Sequence, residues 1–158
     1  MHFPIISIST KKIPKKEWAE SLSYDDATLA YFTDYYGELY PANERQKLLR
    51  SAGFKALFSG LAEVDSGKGE IRVFSKEQII NTLKSYYADL LEELQKEQEE
   101  PIGWSTFYKL REQGYNYKHC DDLFVVDGCS YTSMQFIEDL LFYADKTLYI
   151  ENIFDAHY

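Results

Sequence analysis

Residues 3–9 (FPIISIS) begin apolar and then alternate apolar with polar, the period-two pattern of a strand. After them come Lys11, Lys12, Lys15 and Lys16, with Pro14 suited by its fixed φ to open a short helix through Leu22. Over residues 25–36 the apolar positions Leu29, Phe32 and Tyr36 recur at helical spacing, and Ser23 and Asp25 both suit a cap. Gly37 and Pro41 bracket the next break. Asn43 is placed to cap a third helix, with Gly53 just past its last turn.

Residues 54–64 and 70–74 read as two strands of a hairpin, joined by the polar, glycine-bearing turn at 65–69. The clearest element is the helix predicted over 76–99. Ser75 stands three residues before Gln78, a capping-box spacing. Ile79, Ile80, Leu83, Tyr86, Tyr87, Leu90, Leu91 and Leu94 then mark one face, and Pro101 closes the polar end. A short helix over 104–113 follows, ended by Gly114, then a strand at 123–126 closed by Asp127-Gly128. Ser133 suits the cap of a helix through Ala144, and residues 147–154 read as a last strand.

Helices and strands mix without regular βαβ alternation. This predicts an α+β fold over residues 1–158: a single compact domain, with a small, mostly antiparallel sheet and helices packed on one face. A chain of 158 residues fits one domain, and its 45% apolar content is that of a globular protein. Fourteen Tyr and ten Phe predict a core rich in rings, with phenols that need partners or water. The longest apolar runs fall far short of the ~20 residues of a membrane span. The first residues lack the basic start and apolar stretch of a signal peptide. With only Cys120 and Cys129, no disulfide framework is expected, and the cytoplasm is the expected location.

Motifs with a defined chemistry were weighed against their plainer readings. Asp65-Ser-Gly-Lys-Gly lacks the G-x-x-x-x-G-K-[ST] spacing that turns backbone amides onto phosphates, and joins two strand-like segments instead. His119, Cys120, Asp121, Asp122 and Cys129 hold ligand atoms, but not the paired spacing of a structural zinc site. Neighbours such as His119 and Cys120 seldom reach dyad geometry. No cofactor or metal is expected. The enzymatic alternative is a cleft near Asp121 and Cys129.

Charge changes the picture most. The formal net charge is −9, unsuited to direct nucleic-acid or membrane binding and suited to a basic protein partner. Seven carboxylates and no cation lie from Glu17 to Glu44 before Arg45, and six carboxylates face Lys96 over 89–100. Basic residues concentrate at Lys11 to Lys16 and again over 45–76, where seven stand against three acidic ones. On the helix predicted over 25–36, Tyr31, Asp34, Tyr35 and Glu38 fall on one stripe apart from Leu29, Phe32 and Tyr36. Rings beside carboxylates suit contact with Arg or Lys, so these four are the candidate partner-binding residues. The plainer reading is a wall of tyrosines at a core edge, with their hydroxyls in water. The resulting expectation is a non-enzymatic acidic inhibitor, of the general character of small phage and mobile-element proteins that block a basic, nucleic-acid-binding partner. A homo-oligomeric subunit is a third reading.

Overall fold

Two short segments that are apolar on both faces become neighbours at the centre of a sheet. The computed structural model of the chain describes residues 2–18, 35–96 and 123–157. Strand β1 (His2–Ser9) pairs in parallel with β5 (Leu123–Val126), from Ile5 opposite Leu123 to Ile8 opposite Val126. Ile5, Ile6, Ile8 and all four residues of β5 are buried. Burial on both faces is the usual condition of parallel strands, and near-continuous apolar sequence is its mark.

The other edge of β1 meets β7 (Thr147–His157), antiparallel from His2 opposite His157 to Ser9 opposite Tyr149. On its far edge β7 carries two strands in succession: β4 (Glu70–Val73) beside its first residues and β2 (Tyr35–Leu39) beside its last. Strand β3 (Ala62–Asp65) pairs with β4, and β6 (Cys129–Thr132) with β5. The seven strands run β3-β4-β7-β1-β5-β6, with β2 joined to β7. The fold is therefore α+β, but the sheet is mixed, not the mostly antiparallel sheet expected. The β1–β5 pair accounts for the difference, since its strands are far apart in sequence and free of any hairpin constraint.

Several elements differ from their sequence reading. Tyr35–Leu39 is a strand, so the helix expected over 25–36 does not hold at Tyr35 and Tyr36; its residues 25–34 lie outside those described. Tyr36 faces Ala156 and Glu38 faces Asp155, which leaves Gly37 as the extra residue of a bulge, a role suited to glycine. Phe54 belongs to no strand. Helix α1 (Ala42–Arg50) ends at Ser51, whose hydroxyl accepts the Phe54 amide at 3.1 Å and caps α2 (Ala52–Leu57). Phe54, Leu57, Phe58 and Leu61, all buried, recur at i, i+3, i+4 and i+7, a helical period that overrides the apolar run's strand character. Pro41, not Asn43, precedes α1, and Gly53 lies inside α2. Of the helix expected from Pro14 through Leu22, the described part is a 3-10 turn at Lys15–Glu17, while residues 19–22 and the helix expected over 104–113 lie outside the described residues.

Helix α3 (Lys76–Lys96) is the longest described, and Ser75 Oγ accepts the Gln78 amide at 3.3 Å as its spacing predicted. Ile79 is fully buried, while Ile80 and Leu83 are half-buried. The positions of the side chains of Tyr87, Leu90, Leu91 and Leu94 lie outside those described. Helix α4 (Ser133–Asp139) is capped by Thr132 through a reciprocal box with Gln135, one residue earlier than Ser133, and passes into a 3-10 turn at Leu140–Tyr143. No helix among the described residues is long and apolar enough to cross a membrane.

One buried cluster joins Ile6, Ile8, Phe124, Val126, Ile150 and Ile153 of the sheet with Leu49, Phe54, Phe58, Ile79 and Phe136. A second joins Phe3, Ile5, Leu123, Val125, Phe154 and Ala156, the alternate positions of the same strands. Phe58 is the hub of the first. Its ring meets Phe54 at 5.3 Å, Phe136 at 6.1 Å and Phe124 at 6.3 Å, all edge-on, and Phe124 stacks on Phe136 at 4.5 Å. Phe58→Ala should therefore cost about 3–5 kcal/mol in denaturant unfolding, the range for a fully buried ring. Leu83→Ala, at a half-buried site, should cost less than Phe58→Ala; the reverse order would mean that the ring cluster is not the centre of the core.

Candidate functional site

The four residues expected to bind a partner do not share a helical stripe. Tyr31 and Asp34 lie outside the described residues, while Tyr35 and Glu38 sit in β2. With Gly37 bulged, Tyr35 and Glu38 take the register of His157 and Asp155, whereas Tyr36 and Leu39 take that of Ala156 and Phe154. Cross-strand partners share a face. Along β7 the backbone positions of Tyr35 and Glu38 are thus two residues apart, through strand geometry and a bulge. Glu38 is exposed, and Leu39 is 42% exposed.

A second site lies where β4 and β2 leave a gap along β7. The Ile150 amide donates to Gly69 O at 2.7 Å, and the Tyr40 amide donates to Ile153 O at 2.9 Å. Between them the carbonyls of Ile150 and Glu151 have no strand opposite among the described residues. Arg45, from the first turns of α1, reaches in and donates from Nη2 to Ile150 O at 2.8 Å and from Nε to Glu151 O at 3.0 Å. Burial lowers the guanidinium pKa from its ordinary value, though a guanidinium stays charged. Gly69 closes the β3–β4 hairpin at φ +69°, and a Cβ there would stand 3.0 Å from Arg45 Nη2 and 3.2 Å from Ile150 O. The turn before it is organised by Asp65, whose carboxylate accepts the Lys68 and Gly67 amides at 3.0 Å each. Those bonds, the Lys68 amide first, hold Asp65 below its ordinary pKa.

Opposite this gap β7 bulges again. Ile6 faces Ile153 and Ile8 faces Ile150, so two residues, Glu151 and Asn152, oppose Ser7. The Ser7 hydroxyl donates to Glu151 Oε2 at 3.0 Å. Glu151 is only 7% exposed, and Ser7 and Ser9 are buried beside it. A buried carboxylate is costly without donors, so this row of polar groups is the most demanding feature of the described sheet.

Residues 10–18 cross near the row. Lys12 Nζ lies 3.3 Å from Glu70 Oε1 and 5.7 Å from the centre of the Tyr149 ring. Lys15 and Arg45 both stand against the Trp18 ring, at 5.9 and 5.3 Å. Arg72 completes a chain of ion pairs, 3.6 Å from both Glu70 and Glu63. Contacts of this exposed kind are worth about 0.2–1 kcal/mol each. One cation from each basic stretch of the sequence, Lys15 and Arg45, thus meets at Trp18.

The segment proposed as an enzymatic cleft shows structural roles at its described residues. The Thr10 amide and hydroxyl both donate to Asp127, which turns the β5–β6 hairpin with Gly128, both at positive φ. Cys129 is an exposed free thiol, and Cys120 and Asp121 lie outside the described residues. Tyr131 and Tyr143 bond each other through their phenols, and burial above all pushes both above their ordinary pKa. Among the described residues no three His, Cys, Asp or Glu side chains are grouped to hold a metal. An open groove of about 550 Å³ along the start of α3 is lined by Ser75, Glu77, Gln78, Asn81, Thr82 and Ser85, with no opposed acid and base. No protein-family model, curated protein or solved structure matches the chain.

The Arg45 contact and the glycine beside it can be tested together. Arg45→Met should destabilise by about 1–3 kcal/mol for each buried acceptor left unmet. Gly69→Ala should lose about 1–2 kcal/mol from its left-handed backbone alone, and more from the crowding of Arg45. Gly53→Ala, in α2 with open space around it, should be neutral or stabilising by up to about 1 kcal/mol. Chemical denaturation in which the two glycine changes behave alike would contradict this reading.

Proposed function

We propose that the chain is a non-catalytic binding protein that engages a basic protein partner in the cytoplasm, through an acidic, tyrosine-bearing surface at β2. The contact includes Tyr31, Asp34, Tyr35 and Glu38. The observation that supports it is the presentation of β2: Glu38 stands exposed on a strand that pairs only with β7 among the described strands. Glu38 has no ion pair among the described residues, and Asp155 at the facing register position adds a second carboxylate.

The chemistry follows from those groups. A partner's Arg or Lys gains a charge-assisted bond to Glu38, and the tyrosine rings supply the apolar area that such a bond needs around it. The net charge of −9 steers a basic protein toward the chain before contact. A partner that uses the same cations to hold nucleic acid phosphates is inhibited by occupation of that surface.

The test is surface-plasmon kinetics against the partner captured from the native host, with circular dichroism as the folding control. Asp34→Lys and Glu38→Lys together should slow association by roughly threefold to tenfold at low salt, with dissociation little changed. Tyr35→Ala should speed dissociation instead. Association that is indifferent to both charge reversal and salt would contradict the proposal.

A further inference from the structure

We infer that residues 10–18 form a strap, latched by charge across one face of the sheet, whose release uncovers the Glu151 carboxylate. The inference is independent of the binding surface at β2. The strap starts at Thr10, tied to Asp127, and ends with Trp18 against Arg45. Along it Thr10, Ile13 and Trp18 are half-buried, and Lys11, Lys12, Pro14, Lys15, Lys16 and Glu17 are exposed. No side chain of the strap is buried in either core cluster. Beyond Thr10 it is held to the rest of the fold by the Lys11 amide on Ser9 Oγ at 3.1 Å, the ion pair of Lys12 with Glu70, Lys12 against the Tyr149 ring and Arg45 against the Trp18 ring. Lys15 and the Ile13 carbonyl meet Trp18 within the strap itself.

What lies between those holds gives the strap a consequence. Tyr149 and Glu151 alternate onto the same face of β7, and Ser7 and Ser9 alternate onto the matching face of β1. Lys12 sits over Tyr149, two residues before Glu151, while Arg45, which carries Trp18 on its other side, grips the Glu151 carbonyl. The carboxylate of Glu151 is thus bracketed by the two latch points, buried, with Ser7 the donor that the described residues supply. A carboxylate favours water strongly, so its burial pulls toward an open strap while the cations hold the strap closed. Exposed charge contacts weaken with ionic strength, whereas the hydrogen-bonded sheet beneath does not share that dependence.

The experiment combines hydrogen exchange with carbodiimide labelling of carboxylates on the whole chain, at about 0.01 M and about 1 M sodium chloride, where the Debye length falls from about 30 Å to about 3 Å. Exposed Glu38 serves as the labelling reference. The expected result is that protection of the Glu17 and Trp18 amides falls severalfold in high salt and that Glu151 labelling rises severalfold relative to Glu38, while β1 and β7 stay protected. Lys12→Met with Trp18→Leu, which removes the ion pair with Glu70 and the ring against Arg45, should reproduce both changes at low salt. Protection and labelling that ignore salt and the double variant would overturn the inference. So would a strap that opens with Glu151 still unlabelled, or one that loosens only when the sheet itself does.

Discussion

The guanidinium of Arg45 occupies a stretch of β7's outer edge that no described strand covers, and the surrounding structure is fitted to that contact. Strand β7 spans 11 residues and meets β1 along one edge. Its other edge is shared by β4 and β2, which are too short to meet end to end. Backbone groups left open inside a sheet are costly, so the gap needs a donor with two parallel N–H groups. Arginine offers that fork, and α1 begins just after β2, where it can deliver the side chain. Gly69 is held to glycine from the other side by the same contact.

That contact also organises the charges. The outer face of the Arg45 guanidinium takes the Trp18 ring, and Lys15 comes to the same ring. One cation from each of the two basic stretches, Lys15 and Arg45, is thereby drawn to one side of β7, while Glu38 and Leu39 stand exposed on β2. Acidic side chains are interleaved there, with Glu70 between Lys12 and Arg72 and Glu63 beyond Arg72, so these cations are partly neutralised in place.

How far the sequence revealed this depends on the kind of signal. Helix α3 was legible because its period persists over several turns and Ser75 caps it; the Asp127-Gly128 and 65–69 turns were legible because their residues suit positive φ or bond their own backbone. Residues 54–61 were misread because an apolar run fits either period; their buried positions at i, i+3, i+4 and i+7, with Ser51 before them, carried the helix. Strand β2 was hidden because its Tyr-Tyr-Gly-Glu-Leu sequence draws its hydrogen bonds from β7, distant in the chain. The parallel β1–β5 pair left a faint mark, apolar residues on both faces, that alternation tests pass over. Of the candidate site, Tyr35 and Glu38 fit a helical stripe in the sequence and lie instead on a bulged strand. Arg45, Ser7 and Glu151 were missed, since nothing local to any of them indicates that they meet.

Native-state hydrogen exchange of the sheet amides tests the central place of β7 most directly. The account predicts that the amides of Ile150 and of the β7 residues paired with β1 exchange only through global unfolding, with the slowest rates in the sheet. It also predicts that the β5–β6 hairpin exchanges faster through local opening. Amides around Ile150 that exchange faster than those of the β5–β6 hairpin, with the rest of the sheet still protected, would contradict it.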